Sequence, residues 1–409
     1  MQTAVLDSRT FPEETLPDPS LNRWFHYREI SPRMINYVGF ACNERCRFCY
    51  YLESIESGTT TNRTTEENKK QIREGRQIFG KTQIEFTGGE ATIRPDFPQL
   101  VAYAKELGYE EISLITNGLK MSHLDYCKKI VEAGVNDVLF SFHSYEPAKH
   151  DWLTQIPGSH RRLKQAVENM ISLGVKVRFN SVITSENYKD LIPHLEFLCS
   201  FNPWSINLIM FNPSEETADY NSHDAIRFTS YDEIAGYVGE AITQFRDRVT
   251  ALNVRFMPFC FLKGHEAHIR NYWQAIYEAK EWDSLLHIGY RIGWPKTIGA
   301  ALAGIFLLPF SVARYGVKNL NTLLSELVET TRVQYLFSHV KGCRKCSLRK
   351  ICPGFHRDFL KTYGKEQKVH PYLDLPLIRN PLYFAYRRYA FKFPGLMKEK
   401  KRLETAQHS

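Results

Sequence analysis

Between residues 34 and 212 the chain alternates short β-rich apolar runs with longer amphipathic stretches. The β-rich runs predict strands at 34–38, 83–86, 111–116, 137–142, 176–183 and 205–210. Apolar residues at helical spacing predict helices at 65–79, 96–107, 122–133, 159–173 and 190–201. Strand–helix alternation at this spacing points to a parallel α/β sheet. Six such units are too few for a closed eight-fold barrel, which leaves a partial barrel or an open sheet. In either case a ligand site belongs at the carboxyl ends of the strands. Residues 230–253 read as one more helix, followed by a β-like run at 254–257. No repeat of solenoid period is present.

Composition adds a core to this pattern. With 43% hydrophobic and 13% aromatic residues over 409 positions, the chain can bury one large domain and a smaller one, and it is not a disordered chain. The stretch 1–20 is polar and lacks the apolar segment of a signal peptide, so the expected compartment is the reducing cytoplasm. Nine cysteines there read as ligands rather than disulfides. The net charge of +8 is concentrated at one end: between Arg379 and Arg402 there are eight basic residues against Glu399 alone. The chain is thus a near-neutral globule with a basic tail, and no specific nucleic-acid partner is expected.

Cys42, Cys46 and Cys49 stand on the loop that follows the first strand, spaced Cys-x3-Cys-x2-Cys. Three thiolates so close can converge on one metal centre. A structural zinc site takes four protein ligands, and an ordinary ferredoxin cluster takes four cysteines at other spacings. The next cysteine is Cys127, far along the chain in a predicted helix. One iron of a cluster on these three would lack a protein ligand, and an open position is what a metal needs to bind a substrate.

This spacing after the first strand of a repeated β/α domain resembles the radical S-adenosylmethionine (SAM) superfamily over roughly residues 34–212. Gly88-Gly89-Glu90 after the second strand matches the family turn that binds the amino group of SAM, with Ala91 where the family usually has Pro. Glycines admit close backbone approach, and an acidic acceptor suits an ammonium. Phe48 matches an aromatic near the adenine. Ser141 and Asn180 match positions near the ribose or methionine carboxylate, and Met210 one near the adenine. Thr116-Asn117-Gly118 is a common family turn, and His143 faces the same strand end as Ser141. The resemblance implies a site-differentiated 4Fe-4S cluster that passes one electron to the sulfonium of SAM. The C5′–S bond then breaks to methionine and a 5′-deoxyadenosyl radical, which takes hydrogen from a substrate. It also implies a low-potential electron donor, flavodoxin or ferredoxin. The rival reading is a non-catalytic iron-sulfur protein for electron transfer or sensing.

A second set, Cys343-x2-Cys346-x5-Cys352, suggests another metal centre and resembles the SPASM and twitch extensions that carry auxiliary 4Fe-4S clusters. Where SPASM domains continue with a fourth cysteine this chain has His356, so one auxiliary cluster is the expected count. Cys260 is the favoured fourth ligand, with His356 the alternative and a zinc site on the same residues the competing chemistry. Cys127 and Cys199 read as small core residues.

Residues 297–313 form an uncharged apolar run interrupted by Gly299, Gly304 and Pro309, too broken for a spanning helix. A buried helix or pocket lid is the first reading and an interfacial segment the second. The tail around Tyr383–Phe393 mixes cations with aromatics and suits an anionic membrane face. The expectation is therefore an α/β chain with a partial (β/α)6 TIM-like barrel and a smaller C-terminal iron-sulfur domain. Its divisions are an arm at 1–33, the core at 34–212, a connecting helix at 213–253, the auxiliary-cluster domain at 254–357 and a tail at 358–409. The activity expected is that of a radical SAM oxidoreductase or maturase. Its substrate would be a peptide or a lipid-like, anionic small molecule at the cytoplasmic membrane face.

Overall fold

The computed structural model describes residues 33–49, 62–77, 80–211, 230–271 and 336–379, with positions 226, 273–274, 295, 333, 381 and 383–384. The arm at 1–32, the apolar run at 297–313 and nearly all of the basic tail lie outside the described residues.

Seven strands pair in simple sequence order, every pair parallel. They are β1 (Arg33–Tyr37), β2 (Gln83–Thr87), β3 (Glu111–Thr116), β4 (Asp137–Ser141), β5 (Lys176–Ile183), β6 (Ser205–Met210) and β7 (Ala251–Arg255). The crossovers carry helices α1 (Thr65–Gln77), α2 (Phe97–Glu106), α3 (Leu124–Ala133), α4 (Pro147–Thr154), α5 (Ser159–Ser172), α6 (Leu191–Cys199) and α7 (Tyr231–Phe245). A two-stranded antiparallel ribbon, β8 (Phe337–Ser338) with β9 (Phe355–His356), and helix α8 (Arg357–Tyr363) follow.

Alternation assigns the two faces of the sheet. Ile84, Phe86, Ile112, Leu114, Phe140, Phe179, Ile206, Leu208, Leu252 and Val254 belong to the main core cluster on the helix-covered side. Phe86 meets Phe97 of α2 edge to face at 5.4 Å. Each such fully buried Phe contributes roughly 2–3 kcal/mol of transfer free energy. The other face is concave, as its ion pairs show. Arg178 on β5 reaches Glu85 on β2 (3.1 Å) past two intervening strands and also pairs with Asp137 on β4 (2.6 Å). Arg33 on β1 meets the same Glu85 at 3.0 Å, and Lys176 meets Asp137 at 3.1 Å. A flat sheet could not bring these strands into contact. The molecule is a curled parallel half-barrel, the partial TIM-like barrel expected, and this charged network lines its inner wall near the amino ends of the strands.

Two elements differ from the sequence expectation. The helix read through Asn253 stops at Phe245, and Ala251–Arg255 form a seventh strand beside β6. The short run has weak local preference; what fixes it is tertiary. Leu252 and Val254 fill the core while Asn253 Nδ2 donates to Asn207 Oδ1 at 2.8 Å. Helix α4, with Pro at its first turn, was not anticipated, because its eight residues Pro-Ala-Lys-His-Asp-Trp-Leu-Thr lack a clear apolar stripe. It bears directly on the site.

Candidate active site

The cysteine loop leaves the carboxyl end of β1 and is held from two sides. On one side lies the Gly88-Gly89 turn at the end of β2. Gly89 N donates to Gly39 O (2.9 Å) and Glu90 N to Ala41 O (2.8 Å). A Cβ on Gly88 would stand 2.1 Å from Gly39 O, and one on Gly89 2.2 Å from Ala41 O. Gly88 also has φ +130°, a region that favours glycine. The two glycines thus admit the cysteine loop itself, backbone against backbone. On the other side is the end of α4: Arg45 N donates to Thr154 O (3.3 Å) and Arg47 N to Leu153 O (2.9 Å). The Arg47 guanidinium lies 4.2 Å over the Trp152 ring. Asn62 Oδ1 accepts from Phe40 N and Ala41 N, both at 3.0 Å.

Glu90 is buried, and its carboxylate faces protein donors. Oε1 accepts from Thr92 N (3.0 Å), Thr92 Oγ1 (2.5 Å) and Thr116 Oγ1 (2.8 Å), and Oε2 accepts from Asn117 N (2.7 Å). Burial raises its pKa while these donors pull it down. Asn117 Nδ2 in turn donates to Asn43 Oδ1 between the first two cysteines (2.8 Å). The ends of β1, β2 and β3 are therefore one hydrogen-bonded unit, and Glu90 is the tie between β2 and β3.

The thiols of Cys42, Cys46 and Cys49 lie close enough to repel one another as thiolates. Burial, with nearby Glu90, Glu44 and Cys49, pushes the Cys42 thiol up to about 12. Cys46 is driven well up by burial, then by Glu44 and its fellow cysteines. Thiolates here need a cation to compensate them, and metal binding would release protons. Glu44, which the sequence reading passed over, is buried inside this loop. Cys46 Sγ donates to its Oε2 at 3.2 Å, and burial pushes its carboxyl up to about 8. Among the described residues no three His, Cys, Asp or Glu side chains close onto a single-ion position. A four-iron cluster is a larger body than one ion and sets its thiolates further apart, so the donor set suits the cluster.

The remaining site candidates divide. Phe48 packs edge-on to His143, ring centroids 4.5 Å apart, so these two do come together at the strand ends. His143 Nδ1 accepts from Val182 N (3.2 Å), and burial lowers its pKa to about 3, so the ring is neutral with its proton on Nε2. Ser141 is half-buried on β4, in register with Asn180 on β5. Asn180 begins a ladder along the concave wall: Asn207 Nδ2 donates to Asn180 Oδ1 and Asn253 Nδ2 to Asn207 Oδ1, each at 2.8 Å. Met210 does not join them; it is fully buried in the core on the Ile206–Leu208 face. Asn207 and Asn253 were missed because the signal, equal offsets on paired strands, exists only once the register is known.

In the second region Cys260, Cys343, Cys346 and Cys352 line one cavity with His339, Phe259, Leu348 and Phe355. The Cys260 thiol is pushed up to about 11 by burial and then by Cys343 and Cys346. Cys352 is pushed up to about 12 by burial, with Cys260 and Cys343 adding to it. His356 is not part of this cavity: its Nδ1 accepts from Asp358 N (3.3 Å), capping α8, and its ring stands edge-on to Phe337. Cys127 is buried with Sγ on Met121 O, and Cys199 is half-buried against the core.

A curled parallel α/β half-barrel whose three-cysteine loop leaves its first strand defines the class. The chain carries a Radical SAM domain: residues 36–198 match the Radical SAM superfamily. It is 29% identical over 42% of its length to 54% of a probable GTP 3',8-cyclase of Sulfolobus acidocaldarius. It is 30% identical over 35% of its length to 27% of a 7,8-dihydro-6-hydroxymethylpterin dimethyltransferase of Methanocaldococcus jannaschii. Among solved structures, SuiB of Streptococcus suis bound to S-adenosylmethionine covers 55% of this chain and 50% of that one, at 18% identity and a TM-score of 0.43. The chain thus spans about half the length of these relatives, or less. The family implies a 4Fe-4S cluster and S-adenosylmethionine, and the half-buried three-thiol loop fits the cluster.

Proposed function

We propose that this chain is a radical SAM oxidoreductase or maturase whose first cluster is held by Cys42, Cys46 and Cys49. The observation that carries the reading is the bracing of that loop, by the Gly88-Gly89 turn and the end of α4, so that three mutually coupled thiols meet at the carboxyl ends of the strands. When bound, the cluster supplies one electron for reductive cleavage of SAM, giving a radical that abstracts hydrogen from the substrate. The chain's own residues position and enclose. Phe48 offers an aromatic face, His143 a fixed neutral donor, and Ser141 and Asn180 polar groups on the inner wall.

The four cysteines around the second cavity support one auxiliary 4Fe-4S cluster with Cys260 as fourth ligand, in a twitch-like region. For the substrate, the inner wall supports a polar, uncharged hydrogen-bonding edge. The charges toward the amino ends of the strands, Arg33, Glu85, Asp137, Lys176 and Arg178, are spent on one another, whereas Asn180 Nδ2 and Asn253 Oδ1, the ends of the amide ladder, have no partner among the described residues. A peptide backbone presents such an edge, and so do the guanine and pterin rings in the names of the relatives. Among the described residues no helix is long and apolar enough to cross a membrane. A peripheral contact would rest on the 297–313 run and the tail.

The test is quenched-reaction chromatography for 5′-deoxyadenosine. Reconstituted protein with dithionite or reduced flavodoxin should form it together with methionine, slowly even without substrate, and Cys46→Ala should form none. Wild-type protein with intact clusters that forms none, with candidate peptides also supplied, overturns the reading and leaves an electron-transfer protein.

A further inference from the structure

We propose that the exposed cationic loop at 341–350 is the docking surface for a small acidic one-electron carrier protein, a flavodoxin- or ferredoxin-type reductant. Electrons would then enter this chain through the second cysteine cavity. The inference rests on the reading of Cys260, Cys343, Cys346 and Cys352 as ligands of an auxiliary cluster.

The loop carries Lys341, Arg344, Lys345, Arg349 and Lys350, all exposed, and no acidic residue lies between His339 and Arg357. None of the five makes an ion pair with a described residue. Their like charges repel, a cost that a solvated face elsewhere usually offsets by interleaving acids. The charges are also held in place. Cys343 N bonds Val340 O (2.9 Å), Cys346 N bonds Cys343 O (3.1 Å), and Arg349 N bonds Cys346 O (3.2 Å). Arg349 Nη1 donates to Arg344 O at 2.7 Å. Ser347, at the loop's centre, is pinned by Tyr372 O and Ile378 N at 2.8 and 2.9 Å.

Location decides the partner. Cys343 and Cys346 are half-buried between the cations, while Leu348, Ile351 and Cys352 fill the space below. A cluster on these sulfurs would lie directly under the charged face, the arrangement a carrier needs for a short transfer distance. A lipid surface would want apolar anchors, and none of the exposed large hydrophobic side chains falls in this loop. Single-stranded nucleic acid would want aromatic platforms, and residues 341–352 contain none. In the step itself the reduced carrier loses one electron and the cluster gains it; no bond is made or broken.

The experiment is anaerobic stopped-flow mixing of reduced flavodoxin with reconstituted protein, following cluster bleaching at several salt concentrations. The wild-type rate should fall with salt. The variant Arg344→Glu/Lys345→Glu/Arg349→Glu should be reduced roughly ten- to a hundred-fold more slowly at low salt, within the range that steering supplies. Its iron content and its reduction by dithionite should be unchanged, and Lys128→Glu/Lys129→Glu on α3 should behave as wild type. If charge reversal costs iron, the neutral variant Lys341→Gln/Lys350→Gln carries the test, with a several-fold loss expected. A cluster-replete variant reduced as fast as wild type overturns the proposal. So does a variant that loses binding to anionic vesicles or oligonucleotides at unchanged reduction rate. Wild-type protein holding only about four irons overturns the auxiliary-cluster reading, and this proposal with it, and that failure shows in the iron count rather than in the rate.

Discussion

Replacing Glu90 by Gln changes its shape little and its hydrogen bonding decisively. In the wild type every contact of the carboxylate is a donor: Thr92 N, Thr92 Oγ1 and Thr116 Oγ1 on one oxygen, Asn117 N on the other. The amide can keep its oxygen toward the threonines, but its NH2 then faces the Asn117 N–H, donor against donor. A charge-assisted bond worth about 1.5–3 kcal/mol is lost and a buried N–H is left unpaired at about 1–3 kcal/mol. A net cost of roughly 3 kcal/mol is a large part of a typical domain's stability. At roughly 2–4 °C per kcal/mol it lowers Tm by about 6–12 °C. Circular dichroism of the cluster-free protein under anaerobic conditions measures this apart from any ligand. A parallel titration with SAM on reconstituted protein reads the site. If Glu90 served only as acceptor for the ligand's ammonium, the cluster-free Tm would not move while SAM affinity fell. That result would refute the structural role argued here and restore the simpler reading of the Gly-Gly-Glu turn.

Two further outcomes follow from the same reasoning. Reconstituted wild-type protein should hold about eight irons per chain, Cys260→Ala about four with the SAM-sensitive spectrum kept, and His356→Ala about eight, since His356 caps α8 away from the cavity; iron assay and electron paramagnetic resonance decide it, and loss in His356→Ala alone would reverse the assignment. Burial works against the Glu85 charge, but Arg33 and Arg178 outweigh it and hold the carboxyl at about 2. A depressed carboxylate stabilises fully above its unfolded value and loses that contribution as pH falls, so stability on the order of 3 kcal/mol should disappear between pH of roughly 4.5 and 2. Denaturant titrations should show that decline flattened in Glu85→Gln, and an unchanged slope would count against the network.

The partial barrel was legible because each strand–helix unit carries its own period: all six strands read at 34–210 fall on strands of the sheet. The seventh was read three residues late, as a β-like run at 254–257, because Ala251–Arg255 is fixed as a strand by pairing with β6. Cysteine spacing likewise marked a candidate metal centre, since ligand spacing is a property of the chain. Which atoms brace that centre is not. Helix α4 supplies carbonyls to the loop from more than a hundred residues away, through backbone groups that leave no mark in the sequence. Gly88 and Gly89 were legible as glycines that matter, but what approaches them is the loop's own backbone. Met210 sat at a plausible strand end, yet its parity places it with Ile206 and Leu208 in the core. One residue along a strand reverses the face, and neither a motif nor composition reports that.

The two walls of the half-barrel are built from different materials, and this divides their tasks. At β1–β3 the site is made of backbone contacts and a buried carboxylate bound to four donors, so it has little freedom to vary without losing the loop. At β5–β7 it is made of side chains on paired strands, Asn180, Asn207 and Asn253, which can be exchanged without disturbing any backbone bond of the sheet. On the function proposed above, the cofactor would lie against the first kind of wall and the substrate against the second. The amide ladder is directional: Asn253 donates to Asn207 and Asn207 to Asn180, so a donor is left at the Asn180 end and an acceptor at the Asn253 end. A ligand meeting both ends must offer an acceptor on one side and a donor on the other, as an amide edge does. A carboxylate or a phosphate offers acceptors only and would leave the Asn253 end unanswered.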